Sequence, residues 1–76
     1  MGLVLYHRID DVGSAAARRR VVELGLKPKV DFQNVDSDGA ASWAAAGGHV
    51  LPALWDGERL HEGQRAVLAA LETLRR

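Results

Sequence analysis

Hydrophobic and polar positions along the first half of the chain follow two spacings, one typical of strands and one of helices. Residues 3–6 form a continuous apolar run, which predicts a strand buried on both faces of a sheet. Across residues 15–24 the apolar positions recur at helical spacing, and Gly25 is a natural helix end. Residues 30–35 alternate as a second strand. Two strands joined by one helix predict a right-handed βαβ unit with parallel strands.

The second half of the chain predicts two more helices. Residues 39–46 are rich in alanine, with Trp43 as their one large side chain and Ser37 as a candidate N-cap. In residues 64–74 the apolar positions again recur at helical spacing. Trp43 and Trp55 are expected to anchor a core or an interface.

Between these helices the pattern predicts a hairpin. Residues 50–55 and 58–60 flank Asp56-Gly57, a dipeptide typical of two-residue hairpin turns. Pro52 cannot donate to a strand ladder, so we expect it to open a strand or to lie at a sheet edge, in a special bend; whether it is a cis proline stays open at this point. Backbone left unpaired beside such a proline can bind an extended peptide. The resulting order, βαβαββα, predicts an α/β domain with a four-stranded mixed sheet flanked by three helices.

Length and composition limit the function classes. The 76 residues allow one domain, residues 1–76, and 47% hydrophobic with 26% charged residues is typical of globular proteins. Ten basic side chains balance ten acidic ones, so no net field favours nucleic acid or a membrane surface. No apolar run approaches the roughly 20 residues of a membrane span, and the start lacks the pattern of a signal peptide. We therefore expect a soluble cytoplasmic protein.

The titratable residues do not form a recognisable catalytic or metal site. Asp10 and Asp11 could act as a carboxylate pair, but two acids before a helix are more often partners of its dipole. The three histidines lack metal-ligand spacing, and no cysteine joins them. Among them His7, directly after the first strand, is the best candidate for an exposed functional imidazole. No catalytic residue, metal ligand or nucleic-acid site is predicted.

The one basic cluster, Arg18-Arg19-Arg20, does not form a stripe. At about 3.6 residues per helical turn, three consecutive side chains point in different directions. We expect a solvated helix face. Nucleic-acid binding would need a basic surface with aromatic side chains, and the chain has few aromatic residues.

Several segments together resemble the thioredoxin-like fold in its shortest form, a glutaredoxin or the amino-terminal domain of a glutathione transferase. Residues 3–6 are similar to the first strand of that family, and residues 18–26 to the end of its first helix. Residues 50–57 are similar to its "VPxLxDG" segment, and residues 64–68 to the start of its last helix. The resemblance covers nearly the whole chain and implies the same fold.

The loop after the first strand departs from that family. Redox-active relatives carry Cys-x-x-Cys or Cys-x-x-Ser at the helix start, where the dipole lowers the pKa of the thiol. Here the matching stretch is Asp11-Val12-Gly13-Ser14, and the chain has no cysteine. Thiol–disulfide oxidoreductase activity is therefore excluded.

The resemblance implies a ligand groove between the 6–14 loop and the proline segment. Its candidate residues are Tyr6, His7, Asp11, Ser14, Leu51, Pro52, Glu62 and Gln64. The preferred interpretation is a redox-inactive binding module that holds a protein, a peptide or a small thiol in this groove.

Two other interpretations stay open. One is a glutathione-binding or transferase-like protein, in which Ser14 takes the place of cysteine beside the thiolate and Glu62 and Gln64 replace the usual clamp on the γ-glutamyl end. Glutathione is then the one candidate cofactor. A serine at this place is more often a helix-capping residue. The other is an assembly protein that associates with itself, in the simplest case as a homodimer.

Overall fold

The computed structural model describes residues 2–74 as a four-stranded mixed sheet with three α-helices. The predicted α/β class and the predicted order of elements are confirmed. In chain order the elements are strand β1 (Leu3–His7), helix α1 (Val12–Glu23), a 3-10 turn (Lys27–Lys29), strand β2 (Val30–Asn34), helix α2 (Ala40–Ala45), strand β3 (Ala53–Trp55), strand β4 (Leu60–Glu62) and helix α3 (Gln64–Leu74).

The strands lie in the order β2-β1-β3-β4. Strand β1 is parallel to β2 and antiparallel to β3, and β3 is antiparallel to β4. The apolar run of β1 is therefore central in the sheet, as its continuous hydrophobicity predicts. Helices α1 and α3 contact each other and pack on the same face, while Tyr6 faces the opposite side, where it bonds to α2.

Two hydrophobic clusters hold the sheet between its helices. The larger lies under α1 and α3 and comprises Leu5, Ala17, Val21, Leu26, Val30, Leu54, Val67 and Leu71. The smaller lies on the α2 side around Tyr6, Val35 and Ala53, with Trp43 and Trp55 packed against it. Alternate strand residues point to opposite faces, which is why Leu5 and Tyr6 belong to different clusters.

The hairpin differs from its prediction. Trp55 pairs with Leu60, so the loop contains residues 56–59 and is longer than a two-residue Asp-Gly turn. The Asp56 carboxylate explains this geometry, because its Oδ1 accepts the backbone N–H groups of Glu58 at 2.8 Å and Arg59 at 2.9 Å. Strand β4 consequently begins at Leu60, whereas the sequence predicted a strand over residues 58–60.

Two helix starts also differ from their predictions. Helix α1 begins at Val12, before the apolar pattern of residues 15–24 that predicted it. Its N-cap is Asp11, an acid expected to favour the helix start, and Ser14 lies within the first turn. Helix α2 follows Gly39 and has no side-chain cap, so Ser37 is not its N-cap. A Cβ at Gly39 would lie 3.0 Å from the backbone carbonyl oxygen of Asn34, and this close approach requires glycine.

Candidate functional site

The start of α1 meets the proline segment at Gly13. A Cβ on Gly13 would lie 3.1 Å from Cδ of Pro52, 3.3 Å from Oε1 of Gln64 and 3.5 Å from Oδ2 of Asp11. The missing side chain thus lets the start of α1 approach the proline segment and the start of α3 closely. We use the name Pro52 groove for the junction of these segments, which is marked by Asp11, Gly13, Leu51, Pro52 and Gln64; the Pro52 side chain itself is fully buried.

The backbone of Leu51 is unpaired beside this groove. Its N–H and C=O make no hydrogen bond within residues 2–74, and the Leu51–Pro52 peptide bond is cis. The neighbouring groups are paired: the Val50 N–H donates to Glu62 at 2.9 Å, and the Pro52 carbonyl accepts the Gly63 N–H at 2.8 Å. Leu51 therefore offers one donor and one acceptor on a segment that is otherwise held in place.

Glu62 holds the segment that precedes the proline. Its Oε1 accepts the backbone N–H groups of His49 at 2.7 Å and Val50 at 2.9 Å. These two bonds, first that from His49, keep the pKa of the Glu62 carboxyl below its ordinary value. Glu62 thus lies behind the groove and fixes the position of its proline side.

Asp11 and Ser14 fix the start of α1. The Asp11 Oδ2 accepts the Ser14 N–H at 2.7 Å, and hydrogen bonds from Ser14 are the main reason that the pKa of Asp11 is lowered. Ser14 itself is 0% exposed, and its Oγ accepts the Arg8 N–H at 3.1 Å. Its hydroxyl lies inside the fold, below the groove surface.

Tyr6 and His7 lie away from the groove surface. The Tyr6 hydroxyl hydrogen-bonds with that of Ser42 at 2.6 Å, on the α2 side of the sheet. His7 is the last residue of β1 and only 5% exposed, so the expectation of an exposed imidazole is wrong. Its Nδ1 lies 3.1 Å from Nη1 of Arg18. Burial, and then the Arg18 charge, lower the pKa of His7.

The three consecutive arginines have different surroundings. Arg18 bonds to the β1–α1 loop, Arg19 is exposed, and Arg20 donates from Nε to Glu72 of α3 at 2.8 Å and from Nη1 to Glu23 at 3.1 Å. The cluster does not form one stripe, as expected. It is also not simply a solvated face, because two of its members join separate elements.

Exposed aliphatic side chains flank the groove, and the sequence interpretation missed them. Among residues 2–74 the large exposed hydrophobic residues are Ile9, Val12, Val22 and Val50. Ile9 and Val12 lie on the loop and first turn that lead to Gly13, and Val50 precedes Leu51. The signal was available in the sequence, since Ile9 and Val12 surround the acidic pair of a polar loop.

The described part of the chain holds no group of three His, Cys, Asp or Glu side chains that could bind a metal ion. No helix within residues 2–74 has the length and apolar character to cross a bilayer. Comparison with protein-family models, with curated proteins and with solved structures finds no match. A function is therefore inferred from the geometry of the Pro52 groove.

Proposed function

We propose that this chain is a redox-inactive, thioredoxin-like binding module that holds an extended segment of a partner protein in the Pro52 groove. The observation that carries the proposal is the unpaired backbone of Leu51, which presents one N–H and one C=O beside the groove. An extended peptide pairs with such groups as an added strand pairs with a sheet. The order of elements and the four-stranded mixed sheet support the thioredoxin-like assignment.

The surroundings of the groove indicate what kind of segment binds. Ile9, Val12 and Val50 are exposed aliphatic residues, and Val12 is 83% exposed. Covering them on binding removes apolar surface from water, which stabilises the complex. A bound segment therefore carries aliphatic or aromatic side chains on the positions that flank its pairing with Leu51.

The same geometry favours a peptide over glutathione. The proposed thiolate donor, the Ser14 hydroxyl, is fully buried, and it hydrogen-bonds with the Asp11 carboxylate while its oxygen accepts the Arg8 N–H. The Oε1 of Glu62 is occupied by two backbone N–H groups. The serine expected to stabilise a thiolate therefore does not reach the groove surface, whereas the backbone of Leu51 can pair with a peptide without it.

A displayed library of random heptapeptides, selected on the immobilised protein, tests the proposal. A selected peptide, synthesised and titrated into ¹⁵N-labelled protein, should shift the amide signals of residues 8–14 and 49–51. Consistent enrichment of peptides with apolar side chains is expected. The proposal is wrong if no peptide is enriched, or if the shifts map to another surface, such as residues 40–46.

Two valines of the same helix provide a matched pair of variants. Val12→Glu places a charge beside the groove, and Val22→Glu places the same charge at an exposed site elsewhere on α1. We expect Val12→Glu to weaken binding of the selected peptide about tenfold or more, because an apolar contact is replaced by a charge that must lose water. Val22→Glu should leave the affinity unchanged. Equal effects of the two substitutions would contradict the proposed site.

A further inference from the structure

A second concave site lies between the β3–β4 loop, strand β4 and the last turns of α3. It is a cavity of about 140 Å³ lined by Asp56, His61, Ala70, Thr73 and Leu74. Ala70 and Leu74 are four residues apart on α3, so their side chains form one apolar wall. None of the residues that line this cavity belongs to the Pro52 groove, so the two sites are separate.

A fixed imidazole–carboxylate pair lines the cavity. The Asp56 Oδ2 lies 2.7 Å from Nε2 of His61, while its Oδ1 accepts the backbone N–H groups of Glu58 and Arg59. These bonds, first that from Arg59, hold the pKa of Asp56 well below its ordinary value, so the group is a carboxylate that only accepts. The hydrogen of the His61 ring must therefore lie on Nε2.

The polar groups of the cavity that remain available to a ligand are hydrogen-bond acceptors. In the neutral ring Nδ1 of His61 is an acceptor, and it makes no hydrogen bond within residues 2–74. The Thr73 hydroxyl donates to the Ala69 carbonyl at 3.0 Å, so only its lone pairs remain for a ligand. Together with the Asp56 carboxylate, these groups favour a ligand that donates a hydrogen bond and disfavour one that is negatively charged.

The volume sets the size of the ligand. An engineered protein cavity of roughly 150 Å³ lined by apolar side chains holds one benzene molecule. The cavity here, at about 140 Å³, is of similar size, with Ala70 and Leu74 as its apolar wall. We propose that it binds a small neutral ring with one hydroxyl group, of the size of phenol, whose O–H donates to Nδ1 of His61.

Three aromatic probes, of which phenol and toluene have the same size, separate the contributions to binding. Phenol has the ring and a donor, toluene has the ring without a donor, and benzoate has the ring with a negative charge. In a titration of ¹⁵N-labelled protein, phenol should give saturable shifts at residues 56, 61, 70, 73 and 74. Toluene should bind about fivefold more weakly, which is the effect of one hydrogen bond. The proposal fails if phenol gives no saturable shift there, or if benzoate binds as well as phenol.

Variants of the cavity provide the second test. His61→Phe keeps a ring but removes Nδ1, so phenol and toluene should then bind with equal affinity. Ala70→Leu fills the space and should abolish binding of both, while Ala69→Leu, at an exposed position on the same helix, should abolish neither. If Ala70→Leu does not fold, the ratio of phenol to toluene affinity in His61→Phe decides alone. An unchanged ratio overturns the proposal, and this outcome is independent of peptide binding at the Pro52 groove.

Discussion

Nη1 of Arg18 lies 3.1 Å from Nδ1 of His7 and thereby joins helix α1 to the end of strand β1. The same guanidinium donates to the backbone carbonyls of Arg8 at 3.2 Å and Ile9 at 3.3 Å. One planar group with several N–H donors can satisfy these three acceptors at once. Arg18 is thus a positioning residue for the loop that carries Ile9 and leads to the groove.

Replacement of Arg18 by lysine tests this role. Arg18→Lys keeps the charge but cannot donate to three separated acceptors. We expect the free energy of unfolding to fall by about 1–2 kcal/mol, the range for one or two lost hydrogen bonds. Amide hydrogen exchange in residues 8–10 should also become faster. Arg19→Lys, at an exposed neighbouring position, is the control and should change neither measurement; equal behaviour of the two variants would contradict the role of Arg18.

Because His7 is buried, we expect the free energy of unfolding to depend on pH. Burial and the nearby Arg18 charge hold the pKa of His7 below its ordinary value of 6.5. The unfolded chain therefore binds a proton more readily than the folded one, and stability rises with pH where this difference exists. The contribution of His7 is fully present above the ordinary pKa and is lost as pH falls from there through the folded-state value.

Denaturant unfolding between about pH 8 and about pH 5 measures this effect, because that interval spans the ordinary histidine pKa. His7→Phe should reduce the loss of stability across the interval, since phenylalanine binds no proton. His49→Phe, which removes an exposed imidazole, is the matched control variant. The prediction fails if His7→Phe and wild type lose the same stability over the interval.

The hydrophobic pattern of the sequence predicted the bounds of an element well where apolar residues keep one spacing along the whole element. Helix α3 has its predicted bounds, Gln64–Leu74, because Val67 and Leu71 recur at helical spacing and are fully buried. Gly25, predicted to end α1, follows Leu24 with a φ of 72°. The hairpin loop was predicted too short because the Asp56 side chain, and not the Asp-Gly dipeptide alone, determines its geometry.

The candidate site was predicted less completely, because its contacts join distant parts of the chain. The family resemblance brought together Asp11, Pro52 and Gln64, which the structure places around Gly13. It did not indicate that Ser14 is covered by the Arg8 backbone or that Arg18 reaches the loop. Such pairings depend on how α1 packs on the sheet, and no periodicity along the chain records that packing.

Replacement of Glu62 should loosen the segment that precedes Pro52. Glu62→Ala removes the acceptor of the His49 and Val50 N–H groups, so both amides should exchange with solvent faster than in wild type. Glu58→Ala, at an exposed glutamate of the hairpin loop, is the control and should leave these amides unchanged. Unchanged exchange in Glu62→Ala would show that the two bonds do not hold this segment.

The Glu62 carboxylate also makes the stability of this segment depend on pH. Because the N–H groups of His49 and Val50 lower the pKa of Glu62 from its ordinary 4.5, the carboxylate is favoured in the folded state. Its contribution to stability is present above pH 4.5 and is lost as pH falls through the lower folded-state pKa. We therefore expect the protection of these two amides to persist through mildly acidic pH and to decline only below that value, in contrast to the effect of His7.

The Trp43 ring occupies the space where a side chain at position 48 would lie, and Gly48 has none. A Cβ at Gly48 would lie inside the van der Waals surface of the indole, against Nε1 and Cδ1. The Trp43 Nε1 is buried and has no hydrogen-bond partner within residues 2–74, so only packing holds the ring there. Gly48→Ala should displace the indole and lower the free energy of unfolding by about 1–3 kcal/mol, the usual cost of overpacking.

A double-mutant cycle shows whether this overlap is the cause. The Trp43 indole N–H signal should move in Gly48→Ala, whereas Gly2→Ala, where a Cβ meets no atom within 4 Å, should leave that signal and the stability unchanged. In a Trp43→Leu background the ring is absent, so Gly48→Ala should cost much less than in the wild-type background. An equal cost in both backgrounds would mean that the alanine acts on the backbone after α2 and not on the tryptophan.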